Sequence, residues 1–123
     1  MRTKEIPRDE WMSFLDSFSQ QHQGWLVTVE VISQDIGAQE EARNLPLEGI
    51  TSSESNENKT ISISVGNVPS NHLTHTVSDP TRLLLKQTQQ GADKALEIES
   101  TEGVKTLLQF RSAMPAEMVD GLI

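Results

Sequence analysis

Apolar positions along this chain change period once, at Trp25. Before it, Trp11, Phe14, Leu15 and Phe18 fall at i, i+3, i+4 and i+7, one stripe of an amphipathic helix. Pro7 suits a first helical turn, Asp9 and Glu10 favour the positive end of the helix dipole, and Gly24 can end the last turn. The pattern predicts a helix over about residues 7–22. From Trp25 the period is two. Trp25, Val27, Val29 and Val31 alternate with Leu26, Thr28, Glu30 and Ile32, and the β-branched content supports a strand. Ser33 to Gly37 reads as a turn. Ala38 to Ser52 forms a second extended run, bent at Pro46 because proline cannot donate to a central ladder.

Ser53 to Asn58 reads as a polar loop without a core residue. Ile61, Ile63 and Val65 then alternate with Ser62, Ser64 and Gly66, a strand with one wet face. After an irregular stretch come strands over 82–87, 95–100 and 104–111. The last two are joined by Thr101-Glu102-Gly103, a hairpin loop with glycine where positive φ is wanted. One helix and about six strands with short connections imply antiparallel neighbours and an α+β, mostly β domain. A sheet of this size buries one face by curling or by taking the helix as a lid. The bend in the second strand favours a small SH3-like or Sm-like barrel over an open sheet with a helix lid. Met114 to Val119 reads as one further turn, with Pro115 at a first helical position.

All 123 residues fit one domain, with a helix, a β-rich body over about 25–111 and a short tail over 112–123. A chain of this length buries roughly two thirds of its unfolded surface, enough for a core without staples. It has no cysteine, which excludes disulfides, thiol nucleophiles and thiolate metal sites. Ten basic residues against eighteen acidic ones leave a formal charge of −8, which repels phosphate backbones and anionic lipids and disfavours a nucleic-acid or membrane partner. The first ten residues contain no apolar run of the signal-peptide kind, and no stretch approaches a membrane span, so a cytoplasmic protein is expected.

Candidate chemistry is confined to the histidines. There are three, and His72 and His75 stand three apart in Asn71-His72-Leu73-Thr74-His75-Thr76-Val77. On a helical turn they would share a side and converge on one ligand; on a strand they would point to opposite faces. A turn is preferred, because Ser70-Asn71 offers capping oxygens and Pro80 follows. A metal site would then use His72, His75 and a third ligand, Asp79, His22 or a glutamate brought in by folding, since a transition metal needs at least three. The sequence does not settle the third ligand or name a cofactor. Glu97 and Glu99 flank Ile98 on one face of a strand, and that face reads as solvated. There is no phosphate loop, nucleophile elbow or His-Glu-x-x-His.

Three stretches carry a family likeness: Ile6-Pro-Arg-Asp-Glu-Trp-Met-Ser-Phe-Leu-Asp16 leading to Gly24-Trp25, Leu45-Pro-Leu-Glu-Gly-Ile-Thr51, and His72-Leu-Thr-His75 ahead of Arg82. With them the chain resembles a family of short bacterial proteins classed only as a domain of unknown function. The likeness covers roughly Ile6 to Arg111 and implies a shared fold with a final β-hairpin, without an activity. The aspartate that precedes the first histidine in that family is Asn71 here, and the proline that follows the second is displaced to Pro80.

The function expected is a non-enzymatic binding or interaction module, self-associating or docking a protein partner. Its contact surface would be an exposed sheet edge or the Trp11, Phe14 and Phe18 stripe, although such a stripe ordinarily packs on its own domain. The alternative is a small metal-dependent or acid–base enzyme on His72 and His75, and a histidine pH switch is a third.

Overall fold

A computed structural model describes residues 2–55, 58–66 and 72–114. The helix α1, Trp11–His22, follows a short 3-10 turn over Arg8–Glu10. Eight strands complete the fold: β1 (Arg2–Glu5), β2 (Leu26–Ser33), β3 (Gly37–Ser55), β4 (Asn58–Val65), β5 (Leu73–Ser78), β6 (Pro80–Gln87), β7 (Asp93–Ser100) and β8 (Lys105–Met114). All pairings are antiparallel, in the order β1-β6-β7-β8-β2-β3-β4-β5. Six of these are the strands the alternation predicts. The other two are β1, whose residues are all exposed and so leave no apolar pattern, and β5, expected as a turn. The polar loop at 53–58 is largely strand, because Ser53↔Thr60 and Glu54↔Lys59 continue the β3–β4 ladder. The tail from Pro115 onward, and the capping oxygens expected at Ser70-Asn71, lie outside the described residues.

Two corners turn this ladder into two layers. β3 pairs with β2 as far as Pro46 and with β4 from Leu47. Proline has no N–H to give at the switch, while its carbonyl accepts from Gly66 N–H at 2.8 Å. A bulge precedes the corner, with Asn44 in left-handed conformation at φ 51°. The second corner is Asp79, φ 52°, the single residue between β5 and β6. Its N–H donates to Lys59 O (3.0 Å) and its carbonyl accepts from Thr101 N–H (3.2 Å), so both layers hold it.

The inner faces meet in one core. Ile61, Ile63, Val65 and Val77 come from one layer, and Val27, Val29, Leu83, Leu96, Ile98 and Leu108 from the other. Helix α1 adds Trp11, Leu15 and Phe18, all at most 3% exposed, with Phe14 packed half-buried beside them. The stripe is therefore core. Three hydrogen bonds fix the helix: Trp11 Nε1–H donates to Ile6 O (2.9 Å), and Ser19 Oγ both donates to Ile50 O (3.0 Å) and accepts from Ile50 N–H (2.8 Å).

A closed barrel is not what forms. β1 and β5 end the order, each paired on one side among the described residues. The reason is length. β7 ends at Ser100, opposite Pro80, and Thr101 reaches only Asp79 O, so no strand of the β7–β8 hairpin extends alongside β5. The bend predicted at Pro46 is present; the second corner and the open seam are not visible in the apolar pattern.

Trp11→Ala should cost about 3–5 kcal/mol, read as a lower urea midpoint, whereas Phe14→Ala, at the helix margin, should cost distinctly less. At Asp79, glycine should be tolerated, while valine should lose roughly 1–2 kcal/mol because a β-branched residue resists left-handed backbone; thermal melts of the two variants compare them directly.

Candidate functional site

The free edge of β5 is the most distinctive surface of the molecule. Alternation sends Leu73, His75 and Val77 inward and Thr74, Thr76 and Ser78 outward. The register then assembles a face of small hydroxyl residues across three strands: Gly49–Ser64–Thr74, Thr51–Ser62–Thr76 and Ser53–Thr60–Ser78. Hydroxyls bond along these rows, Ser53 to Thr60 at 2.9 Å, and Ser62 to Thr76 and Ser64 to Thr74 at 3.2 Å. On its inner side the β5 edge opens on a hollow of about 220 Å³ bordered by Val31, His75, Asp79, Glu102, Val104 and Thr106.

This strand geometry separates the two histidines. His72, on the outer side, places Nε2 2.9 Å from Glu48 Oε2 in an exposed pair. His75 is half-buried on the inner side, in register with Ile63. The turn expected there is β-strand, because Thr74, Thr76 and Val77 continue the ladder onto β4. Asp79 joins His75 at the hollow, but His72 does not, and His22 belongs to another place altogether. Among the described residues no three His, Asp or Glu side chains gather in a metal-holding arrangement.

His22 is the residue the sequence reasoning undervalued. It is the last residue of α1, is fully buried, and continues the helix stripe Trp11, Leu15, Phe18 at the next core position. That periodicity is the signal that could have found it. The ring stacks on Phe110 (centroids 4.8 Å, 21° between planes), with Trp25 edge-on at 4.6 Å and Phe18 at 4.2 Å. Nδ1 lies 2.7 Å from Phe18 O, and Nε2 lies 2.9 Å from Asp93 Oδ2. The second contact is off the N–H line, so it leaves Nε2 without an in-line hydrogen bond. Coulomb attraction at this distance does not require the line. A backbone carbonyl thus faces one ring nitrogen and a carboxylate the other, both of them acceptors.

Asp93, 8% exposed, also accepts from Gln87 Nε2 at 2.9 Å. Burial pushes its carboxyl up; the contact with His22, the Gln87 bond and the His22 charge outweigh that and hold it below the ordinary carboxylate value. Asp93 borders a hollow of about 310 Å³ with Phe14, Ser17, Gln21 and Leu85, while His22 lies behind it, fully buried. The pair is thus a buried tie between helix and β7.

Glu97 and Glu99 share the outer face of β7, as their spacing implies, but Glu97 is only 6% exposed. Lys86 Nζ stands 3.1 Å from Glu97, and Arg82 bridges Glu99 (3.5 Å) and Glu5 (3.1 Å). Burial raises the Glu97 carboxyl, yet the bond from Glu99 and the Lys86 contact bring it below its usual value; the same bond raises Glu99. These pairs are a charge ladder on a flat face, without opposed walls around a substrate.

The profile of the family of unknown function DUF5335 matches residues 2–119, and the chain belongs to that family. An uncharacterised protein of Aquifex aeolicus (strain VF5) is 25% identical over 115 residues, covering 94% of this chain and 97% of that protein. No solved structure matches. Among the described residues no helix is long and apolar enough to cross a membrane.

Asp93→Asn should destabilise by about 3 kcal/mol, the low end for breaking a buried pair, because Asp93 borders a hollow. The depressed carboxyl sets the pH sign. Its stabilisation is complete above the unfolded value near 4 and is lost as pH falls through the lower folded value. Urea midpoints measured from pH 7 to strong acid should fall steeply in wild type and less steeply in Asp93→Asn.

Proposed function

We propose that this member of a family without an assigned activity is a non-catalytic binding module that takes an extended polypeptide as an added strand on β5. One observation carries the reading: β5 is an edge strand with no charged residue from Leu73 to Ser78. Edges are ordinarily blunted by charge, proline or shortness. The opposite edge, β1, is treated in that way, with Arg2, Lys4 and Glu5 in four residues. β5 carries neither charge nor proline within its six residues; Asp79 and Pro80 come only after it ends.

Main-chain hydrogen bonds along the edge supply affinity in strand addition, and alternate side chains supply specificity. The strand already paired with β5 indicates the sequence that suits it. β4 offers Thr60, Ser62 and Ser64 to the hydroxyl face and Ile61, Ile63 and Val65 to the core. A strand added on the free side meets the same two faces. It therefore needs hydroxyl residues alternating with β-branched aliphatic ones. The enzymatic alternative lacks support from the site geometry, because His72 and His75 occupy opposite sides of β5.

A peptide with the sequence of β4, Thr-Ile-Ser-Ile-Ser-Val, titrated into isotopically labelled protein should shift backbone amide signals of residues 73–78. His75→Lys, an inward-pointing charge at the edge, should weaken that binding. Shifts centred on α1 or β1, or none at millimolar peptide, would overturn the assignment.

A further inference from the structure

We infer that the natural occupant of the β5 edge is the β5 strand of a second copy of this chain, paired antiparallel about a two-fold axis. The inference rests on the reading of β5 as a strand-accepting edge and adds the partner's identity. β5 itself carries the alternation that its edge requires: Leu73, His75 and Val77 inward, Thr74, Thr76 and Ser78 outward. A two-fold axis normal to the sheet keeps outer face beside outer face, and a slip of one residue would set threonines against the core side.

Of the registers that respect the faces, two keep five residues of β5 paired. With the axis through Thr76, Leu73 stands opposite Asp79 and an apolar side chain meets a carboxylate. With the axis through His75, Leu73 meets Val77 of the second copy and Thr74 meets Thr76. His72, already paired with Glu48, then lies beside Ser78 of the second copy, away from the apolar positions. The His75-centred register satisfies apolar and hydroxyl positions together and sets no carboxylate against an apolar side chain. It joins the two hydroxyl faces into one six-stranded surface, β3-β4-β5 followed by its symmetry mate.

Long-range charge opposes the pairing and gives it a signature. Two chains at −8 repel each other, and salt screens that repulsion beyond about 10 Å at 0.1 M. The strand contact itself is uncharged between Leu73 and Ser78, so it is not weakened by the same salt.

The test is sedimentation equilibrium on the full chain over a wide concentration range, with an added cysteine as a position marker. The chain has no cysteine of its own, so one substitution reports one position. Mass should rise toward a dimer with concentration, and more readily at higher salt. Under oxidation His75→Cys should give a disulfide-linked dimer, and Ser62→Cys, one strand inside the edge, should not. His75→Lys sets two ammonium groups across the axis and should raise the dissociation midpoint by about tenfold or more. A monomer at every concentration without His75→Cys cross-linking would overturn the pairing, as would equal cross-linking of Ser62→Cys. If that monomer still takes the β4 peptide on residues 73–78, only the self-pairing fails; if it does not, the strand-accepting reading falls with it.

Discussion

The structure depends on one antiparallel ladder being folded back on itself at two backbone corners. Pro46 supplies the first by withholding a donor where β3 changes neighbours, and Asp79 supplies the second by holding φ at 52° between β5 and β6. Without these corners β4 and β5 would continue the plane of β2, and Ile61, Ile63 and Val77 would have no opposing layer. With them, two layers and one helix enclose a single core. The backbone bonds at Asp79 tie the second corner to β4 on one side and to the β7–β8 turn on the other. A left-handed non-glycine residue persists where its surroundings over-determine it, and Asp79 is held in that way.

The same corner leaves the seam. β5 and β6 are nearly continuous, yet only β6 has β7 beside it, since the hairpin ends where β6 begins. The gap therefore follows from the hairpin's length and not from weak strand propensity. A closed barrel hides every edge; this open sheet leaves β5 as an edge, and its chemistry differs from that of the other end. Charge covers β1, while hydroxyls and a half-buried imidazole line β5. The Ser/Thr face is wet and flat, and the inner side of the seam is a small hollow. A strand laid there finds both environments within one side-chain period.

The polar core around His22 works differently. An imidazole enclosed by Phe18, Trp25 and Phe110 is costly to bury unless its ring nitrogens find polar partners, and Asp93 and Phe18 O provide them. The contact links the end of α1 to the start of β7, residues 71 positions apart in the chain, and so fixes where the helix sits over the sheet. Half of it was legible. His22 falls on the core stripe of the helix, so its burial follows from periodicity. Its partner does not, because Asp93 borders a turn in the sequence and nothing local announces that the fold brings it to the helix.

The sequence by itself determined the helix, six of the eight strands, the bend at Pro46 and the inward set of side chains, because each is written in a local period or in the covalent limits of proline. It also left His72 and His75 with two readings, convergent on a turn or divergent on a strand. Tertiary structure decided between them by laying residues 73–78 against β4, a choice no local pattern contains. It likewise decided that the sheet stays open at β5, that Asp93 meets His22, and that Ser and Thr residues between Thr51 and Ser78 share one face. Those outcomes depend on pairing register and hairpin length between distant segments, and local periodicity carries no information about either.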